Sequence, residues 1–328
     1  MLSQVSLPEN TRIGIFYDPA VQRFLPHGHA LGIKPDFLIA LPGSGEKIKN
    51  LDSVSFILNA LLEHGFQRKD IVVAIGGGAS LDTVGFASSI YMRGISWIAV
   101  PTTLLSICDA AWGGKTAINL ANRKNPVGAF HEPLAVLPWW ETLKTLPLTE
   151  WKSGLGELWK MSLIHSHKQA LSCLEWLDSS PQIPDTKLKH LLTESISLKL
   201  QVVQKDPREA GLRAILNLGH TIGHALEIKE GIPHGVAVAL GILHEAQMGQ
   251  KLGLVSESMT NLCETGVRKL GLKSKKPDWA HLLEIMGADK KNQGSTIGFS
   301  LIQKPGADWN QFQITRLLMK DVQCALSA

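Results

Sequence analysis

The sequence lacks the marks of an exported or membrane-spanning protein. Its four cysteines are widely scattered and form no CxxC pair, which favours a reducing compartment and ordinary packing roles. No run of about 18 uncharged apolar residues occurs, and the N-terminus has no basic start followed by an apolar stretch. We therefore expect a cytoplasmic protein without a membrane segment.

A strong charge of one sign is also absent. The net charge is +4, and Lys and Arg are dispersed among acidic residues without a long basic run. This pattern argues against a nucleic-acid partner and permits an anionic small molecule.

Apolar periodicity divides the 328 residues into two parts. In the first part, β-branched runs alternate with helical patterns, which predicts parallel βαβ units. The expected strands are 12–17, 36–41, 71–75 and 97–100, and the expected helices are near 52–64 and 82–92. Beyond about residue 147 the spacing favours helices, such as 187–203, 220–229 and 236–252. We expect an α/β domain over residues 1–150 and a mostly α-helical domain over residues 151–328.

Three glycines, residues 76–78, directly follow the apolar run 71–75. A backbone without Cβ atoms can approach a pyrophosphate closely, and the next helix would direct its positive end toward the same group. The turn is not a GxGxxG motif, so by itself it fits a simple loop equally well. Asp82 fits either a helix N-cap or a contact to ribose or nicotinamide.

A second group of polar residues recurs at intervals of four, three and four. Its members are Arg213, Asn217, His220 and His224. If this segment is helical, the four side chains share one face, which is unsuited to an apolar core. With His234 and Glu157, two imidazoles and one carboxylate would form a catalytic zinc-type site with open coordination positions. Spacing alone leaves open which two histidines bind the metal, and an HxxxH pair is also common as a purely structural feature.

Taken together, these segments resemble the 3-dehydroquinate synthase family, in order, from about residue 45 to residue 298. The matching stretches include GEKIK (45–49), GGG (76–78), YMRG (91–94), PTTLL (101–105), GGKT (113–116), LKTLP (143–147) and LNLGHT (216–221). The resemblance implies a Rossmann-like dinucleotide-binding α/β domain followed by a mostly α-helical metal- and substrate-binding domain. It also implies a homodimer, bound NAD, and one divalent metal, Zn²⁺ or Co²⁺.

The resemblance further implies roles for individual residues. The metal ligands would be Glu157, His220 and His234. The residues implied to hold NAD are Glu46, Lys49, Gly77, Gly78, Asp82, Thr102, Thr103, Lys115, Lys124, Thr142, Leu143, Lys144 and Thr145. Those implied to surround the substrate are Arg93, Asp109, Lys115, Asn125, Lys160, Lys199, Glu209, Arg213, Asn217, His224, Lys290 and Lys291, with Arg93 reaching across the dimer.

The implied activity belongs to a carbon–oxygen lyase of aromatic amino-acid biosynthesis. A small acidic sugar phosphate, 3-deoxy-D-arabino-heptulosonate 7-phosphate, would become 3-dehydroquinate and phosphate. The steps would be transient oxidation by NAD, phosphate elimination, re-reduction and an intramolecular aldol reaction.

Several positions depart from the family pattern. They are Ala20, Leu81, the segment Ala110-Ala111-Trp112, and Val236. Leu81 stands where a glycine is usual and is expected to add bulk near the pyrophosphate. Val236 replaces a glutamate that could have supported the metal site. Three alternatives stay open: another sugar phosphate cyclase, a metal-dependent polyol or glycerol-phosphate dehydrogenase of the same fold, and an inactive relative that acts as a binding protein.

Overall fold

The computed structural model describes residues 5, 10–25, 32, 34–121, 123–178, 185–273, 277–287, 295–306, 309 and 312–327. Contacts between Cα atoms divide the chain into two compact units, Met1–Leu146 and Pro147–Ala328. No helix within the described ranges is both long enough and apolar enough to cross a membrane.

A parallel sheet forms the centre of the first unit. The strands of this unit are β1 (Ile13–Tyr17), β2 (Phe37–Ala40), β3 (Ile71–Gly76), β4 (Ser96–Pro101), β5 (Lys115–Leu120), β6 (Arg123–Phe130) and β7 (Ala135–Val136). Five of them are parallel neighbours in the order β2-β1-β3-β4-β7, whereas β5 and β6 form an antiparallel hairpin. The helices are α1 (Leu51–Glu63) and α2 (Gly78–Ile90).

Both faces of the sheet are covered by apolar side chains. Every residue of β3 is buried. Val72 and Ala74 belong to the apolar cluster that also contains residues of α1 and α2, and Ile71 and Val73 belong to a second cluster. Because neighbouring side chains of a strand point to opposite faces, a strand covered on both sides reads as one continuous apolar run.

The second unit is mostly helical. Its helices are α3 (Leu148–His165), α4 (His167–Asp178), α5 (Thr186–Lys205), α6 (His220–Glu230), α7 (His234–Lys251), α8 (Glu257–Lys269), α9 (Trp279–Gly287) and α10 (Met319–Ser327). An antiparallel hairpin of β8 (Thr296–Phe299) and β9 (Thr315–Leu318) accompanies them. Helix α7 packs against α3, α6 and α8. The predicted fold class, a parallel α/β part followed by a largely helical part, is confirmed.

Two local expectations are wrong. Helix α2 begins at Gly78 with Gly77 as its N-cap, so Asp82 lies inside the helix and is not an N-cap. The segment from Arg213 to His224 is not one helix: Leu212–Asn217 is a 3₁₀ turn, and Gly219 has a left-handed φ of 77°. This left-handed residue stops the turn, and a new helix starts at His220.

Candidate metal and substrate site

Glu157 is the most deeply buried acidic group of the candidate site. It lies on α3 with 0% exposure, and its Oε2 is 2.5 Å from Lys160 Nζ on the same helix. Its Oε1 has no hydrogen-bond donor among the described residues. Instead, Oε1 lies 3.4 Å from His234 Nε2 and 3.7 Å from His220 Nε2. A buried carboxylate oxygen in this position requires a positive partner.

Two glycines allow the ligand-bearing helices to approach this closely. A Cβ atom at Gly156 on α3 would overlap the carbonyl oxygen of Gly235 on α7, and a Cβ at Gly235 would overlap the carbonyl oxygen of Ser153. Each glycine is the immediate neighbour of a candidate ligand, Glu157 or His234. The backbone contact between α3 and α7 therefore brings the carboxylate to the imidazole.

The two imidazoles are oriented in the same way. His220 Nδ1 lies 3.2 Å from the Leu218 carbonyl oxygen, and His234 Nδ1 lies 3.1 Å from Glu227 Oε2. An oxygen at Nδ1 favours the proton on that nitrogen and leaves Nε2 as the electron-pair donor. Both Nε2 atoms point toward Glu157, as expected for two metal ligands held by outer oxygen partners.

The charges of the three groups are set by one another. Burial would raise the pKa of Glu157, but Lys160 and then His234 outweigh it and lower this pKa to about 2. Burial, with the nearby Lys160, lowers the pKa of His220 well below its usual value. Burial also opposes charge on His234, yet the neighbouring carboxylates of Glu157 and Glu227 raise its pKa to about 9. The cluster therefore places a positive charge beside Glu157 even without a metal.

The spacing of these atoms fits a divalent metal of the zinc type. Ligands about 2.0–2.2 Å from a tetrahedral metal are separated from one another by roughly 3.3–3.6 Å. The separations of 3.4 and 3.7 Å from Glu157 Oε1 to His234 and His220 are close to this range. His220, His224 and His234 also present ligand atoms that all lie within 4.8 Å of one another.

Glu227 offers a direct test of this site. We expect Glu227→Gln to weaken the affinity for Zn²⁺ by about 10–100-fold, because the charged partner of His234 Nδ1 is removed. Competition with a chromophoric chelator measures the affinity. Glu230→Gln, an exposed position on the same helix, is the matched control. Equal Zn²⁺ affinity of the Glu227→Gln and control proteins would contradict the role of Glu227.

A pocket of the second unit adjoins the histidines. It is lined by Ala214, Asn217, His220, Thr221, His224, Met286, Gly298, Ser300, Ile314 and Arg316. The structure thus brings Asn217, His220 and His224 together even though they do not lie on one continuous helix. Arg316 was not anticipated from the sequence, because the short strand β9 was not recognised.

The segment before α6 is fixed by Asp206. This carboxylate accepts hydrogen bonds from the backbone N–H groups of Ala210, Gly211 and Arg213 at 2.7–2.9 Å. Burial opposes ionisation of Asp206, but these bonds hold its pKa below the usual value. The same segment carries Glu209, whose Oε1 accepts a hydrogen bond of 2.8 Å from Asn217 Nδ2.

Three implied substrate cations of the second unit are buried. Lys160, Lys199 and Arg213 are 1%, 6% and 3% exposed, which is uncommon for Lys and Arg unless the charge is matched. Lys160 is paired with Glu157 at 2.5 Å, and Arg213 Nη1 donates a hydrogen bond to the Pro207 carbonyl oxygen at 2.8 Å. Burial of this kind separates these cations from ordinary surface charges.

The glycine turn of the first unit joins β3 to α2. The N-cap of α2 is Gly77, which has no side chain. No N-cap side chain therefore accepts a hydrogen bond from the backbone N–H groups of the first turn. Thr102 N donates to the Gly76 carbonyl oxygen at 3.0 Å, and Thr142 Oγ1 donates to the Thr102 carbonyl oxygen at 2.8 Å. Thr103 Oγ1 lies 2.9 Å from Ser106 Oγ. Several implied NAD contacts therefore cluster at the carboxyl ends of β3 and β4, where ligands of open α/β sheets bind.

A hydrogen-bond network joins residues implied for NAD to one implied for the substrate. Buried Lys49 donates to Asp82 Oδ2 at 2.6 Å and to Asn125 Oδ1 at 2.5 Å. Asn119 Nδ2 donates to Glu46 Oε1 at 2.8 Å, and Asn119 Oδ1 accepts from Asn125 N at 3.0 Å. Asn119 could not be singled out from the sequence, because its contacts depend on the β5–β6 hairpin.

The remaining implied residues are more scattered. Lys115 and Lys124 lie on the hairpin strands β5 and β6, Asp109 lies in the π-helical turn Ser106–Ala110, and Leu143, Lys144 and Thr145 lie in the 3₁₀ turn Trp140–Thr145. Arg93 follows α2 with a left-handed φ of 64°. Lys290 and Lys291 lie outside the described residues. Leu81 is buried in the apolar cluster that also contains residues of α1 and the sheet, and the expectation that it adds bulk near the pyrophosphate stays a prediction.

Comparison with solved structures defines the class. A 2-deoxy-scyllo-inosose synthase complexed with carbaglucose-6-phosphate, NAD⁺ and Co²⁺ has a TM-score of 0.83 at 26% identity, covering 96% of this chain and 89% of that one. A 2-epi-5-epi-valiolone synthase from Streptomyces hygroscopicus, with NAD⁺ and Zn²⁺ bound, has a TM-score of 0.83 at 21% identity and covers 100% and 93%. The fold is that of the dehydroquinate synthase-like sugar phosphate cyclases.

Sequence comparison then identifies the family. The 3-dehydroquinate synthase N-terminal model matches residues 39–153, and the 3-dehydroquinate synthase C-terminal model matches residues 154–292. A 3-dehydroquinate synthase from Synechococcus sp. is 37% identical over 313 residues, which are 92% of this chain and 84% of that protein. The chain belongs to the 3-dehydroquinate synthase family, whose members are carbon–oxygen lyases acting on phosphates.

Proposed function

We propose that this chain converts 3-deoxy-D-arabino-heptulosonate 7-phosphate into 3-dehydroquinate and phosphate, with NAD and one divalent metal as cofactors. The observation that supports this most directly is Glu157 Oε1, buried without a hydrogen-bond donor among the described residues and facing the Nε2 atoms of His220 and His234. A dinucleotide and a metal are also named with the similar solved structures.

The proposed metal ligands are Glu157, His220 and His234, while His224 contacts the substrate. When bound, the metal would supply positive charge beside a substrate hydroxyl, and NAD would supply a reversible hydride acceptor, so that no net oxidation is needed. Imidazole and carboxylate ligands suit both Zn²⁺ and Co²⁺.

The cationic residues hold the two anionic ends of the substrate. In the second unit, Lys199 and Arg213 are proposed to bind the carboxylate, and Lys160 and His224 to bind the phosphate. In the first unit, Lys115 and Asn125 are proposed as phosphate contacts on the family resemblance alone. Buried Lys and Arg side chains bind anions strongly because little water competes and the charged hydrogen bonds are short. Their contribution is to orient the substrate and to compensate charge as phosphate leaves.

In the first unit, we propose that NAD binds along the glycine turn, with Lys49 and Asp82 among its contacts. Its pyrophosphate would accept hydrogen bonds from backbone N–H groups in the first turn of α2, where the N-cap Gly77 leaves room for close approach. We further propose a cytoplasmic homodimer, with Arg93 contributing to the site of the second copy; this part rests on the family resemblance.

One assay tests the reaction. Purified protein loaded with Zn²⁺ or Co²⁺ is incubated with the heptulosonate phosphate and a catalytic amount of NAD, and phosphate and dehydroquinate are quantified. We expect equal amounts of both products and no accumulation of NADH. Stoichiometric NADH would instead identify a dehydrogenase. Absence of thermal stabilisation by saturating NAD would favour an inactive relative.

A further inference from the structure

Glu245 is a buried acidic residue to which the proposed reaction gives no role. It lies on α7 with 0% exposure. Its Oε2 accepts a hydrogen bond of 2.9 Å from Gly219 N, and its Oε1 accepts one of 3.0 Å from Ile222 N. Both donors belong to the start of α6, the helix that carries His220 as its first residue.

These two hydrogen bonds reproduce a capping box with a single side chain from another helix. In a capping box, the N-cap side chain accepts the N–H of the third helical residue, and the side chain of that third residue accepts the N-cap N–H. In α6 the N-cap is Gly219, which has no side chain, and the third residue is Ile222, which has no acceptor. Glu245 therefore satisfies both groups that α6 cannot satisfy itself.

Gly219 makes the arrangement possible. Its φ of 77° is left-handed, and a Cβ atom there would lie 2.7 Å from Ile242 N and 2.7 Å from Val238 O on α7. The start of α6 is thus held directly against the backbone of α7, which itself begins at the other histidine, His234. Burial raises the pKa of Glu245 to about 8, whereas the backbone N–H groups oppose this shift.

We propose that Glu245 is a positioning residue for the metal site: it fixes the first turn of α6 on α7 and thereby sets the position of His220 relative to His234. This inference rests on the proposed metal site. A carboxyl group that accepts hydrogen bonds from two backbone N–H groups next to His220 restricts the rotation and translation of the ligand, so its loss is expected to weaken metal binding and change the coordination geometry.

The test measures Co²⁺ and Zn²⁺ binding by chelator competition, together with the visible absorption spectrum of the Co²⁺ protein. The variants are Glu245→Ala and the nearly isosteric Glu245→Gln, which keeps one oxygen acceptor. We expect Glu245→Ala to lower the affinity about 10–100-fold and to alter the Co²⁺ spectrum, with a smaller effect for Glu245→Gln. Cys263→Ala, a buried position on α8, is a control for general loss of core packing and should leave the spectrum unchanged.

The outcomes separate the two proposals. If the unchanged protein binds neither metal, the proposed metal site fails. Suppose that the wild-type protein binds Co²⁺ and that both Glu245 variants fold. If the variants then have the same affinity and spectrum as the wild-type protein, the positioning role of Glu245 is refuted. If Glu245→Ala does not fold, the Glu245→Gln protein decides: an unaltered spectrum and affinity refute the role, and an altered spectrum beside an unaltered Cys263→Ala control supports it.

Discussion

Replacing Glu157 with Gln is expected to remove the bound metal and to lower turnover by about 1,000-fold or more. Glu157 Oε1 is the oxygen that faces both His220 Nε2 and His234 Nε2, and an amide is a far weaker ligand than a carboxylate. Charge stabilisation by a metal contributes several kcal/mol to a barrier, and about 1.4 kcal/mol corresponds to a factor of ten in rate. Metal content of the dialysed protein and phosphate release measure the two effects.

The same change also removes the negative charge beside buried Lys160. Breaking a buried ion pair costs about 3–5 kcal/mol, so the melting temperature has to be measured with the metal content. Glu150→Gln, in the first turn of the same helix, controls for loss of an acidic residue on α3. A folded Glu157→Gln protein that keeps one metal per chain and normal turnover would refute the ligand assignment.

Replacing Gly156 with Ala is expected to have the second-largest effect. The added Cβ would overlap the Gly235 carbonyl oxygen, so α3 and α7 must move apart. Overpacking of this kind costs about 1–3 kcal/mol of unfolding free energy. Glu157 directly follows Gly156, and His234 directly precedes Gly235. The shift would therefore also separate these two ligands and weaken metal binding.

Urea unfolding and chelator competition on the same protein measure both consequences. Thr149→Ala, an exposed change at the start of α3, should alter neither quantity appreciably. A Gly156→Ala protein with unchanged metal affinity would show that the helix contact is not what places Glu157 beside His234, even if its stability were reduced.

Much of the fold could be predicted because the apolar patterns are continuous. The strand 71–75 is apolar at every position, and β3 is buried throughout. The β5–β6 hairpin was missed because its sequence is rich in polar residues and its second strand is largely exposed. Strands that do not contribute to a core leave little trace in apolar periodicity.

The candidate site shows the complementary pattern. Glu157, His220 and His234 are separated by up to 77 positions in sequence, and only the family resemblance chose these two histidines as the ligands. The structure places Glu157 Oε1 3.7 and 3.4 Å from their Nε2 atoms. Spacing predicted one helix through Arg213 and His224, and this was wrong because Gly219 adopts a left-handed φ. The roles of Glu227 and Glu245 could not be predicted, because both depend on contacts between α6 and α7. Glu227 on α6 contacts His234 on α7, and Glu245 on α7 accepts hydrogen bonds from the start of α6.

The Lys49 ammonium group links two positions that are expected to change together in evolution. It donates to both Asp82 and Asn125, one implied for the dinucleotide and one for the phosphate-bearing substrate. A substitution at either position alters the partner available to the other, so their free-energy effects should not add. Cofactor preference and substrate preference of this enzyme are therefore expected to evolve together.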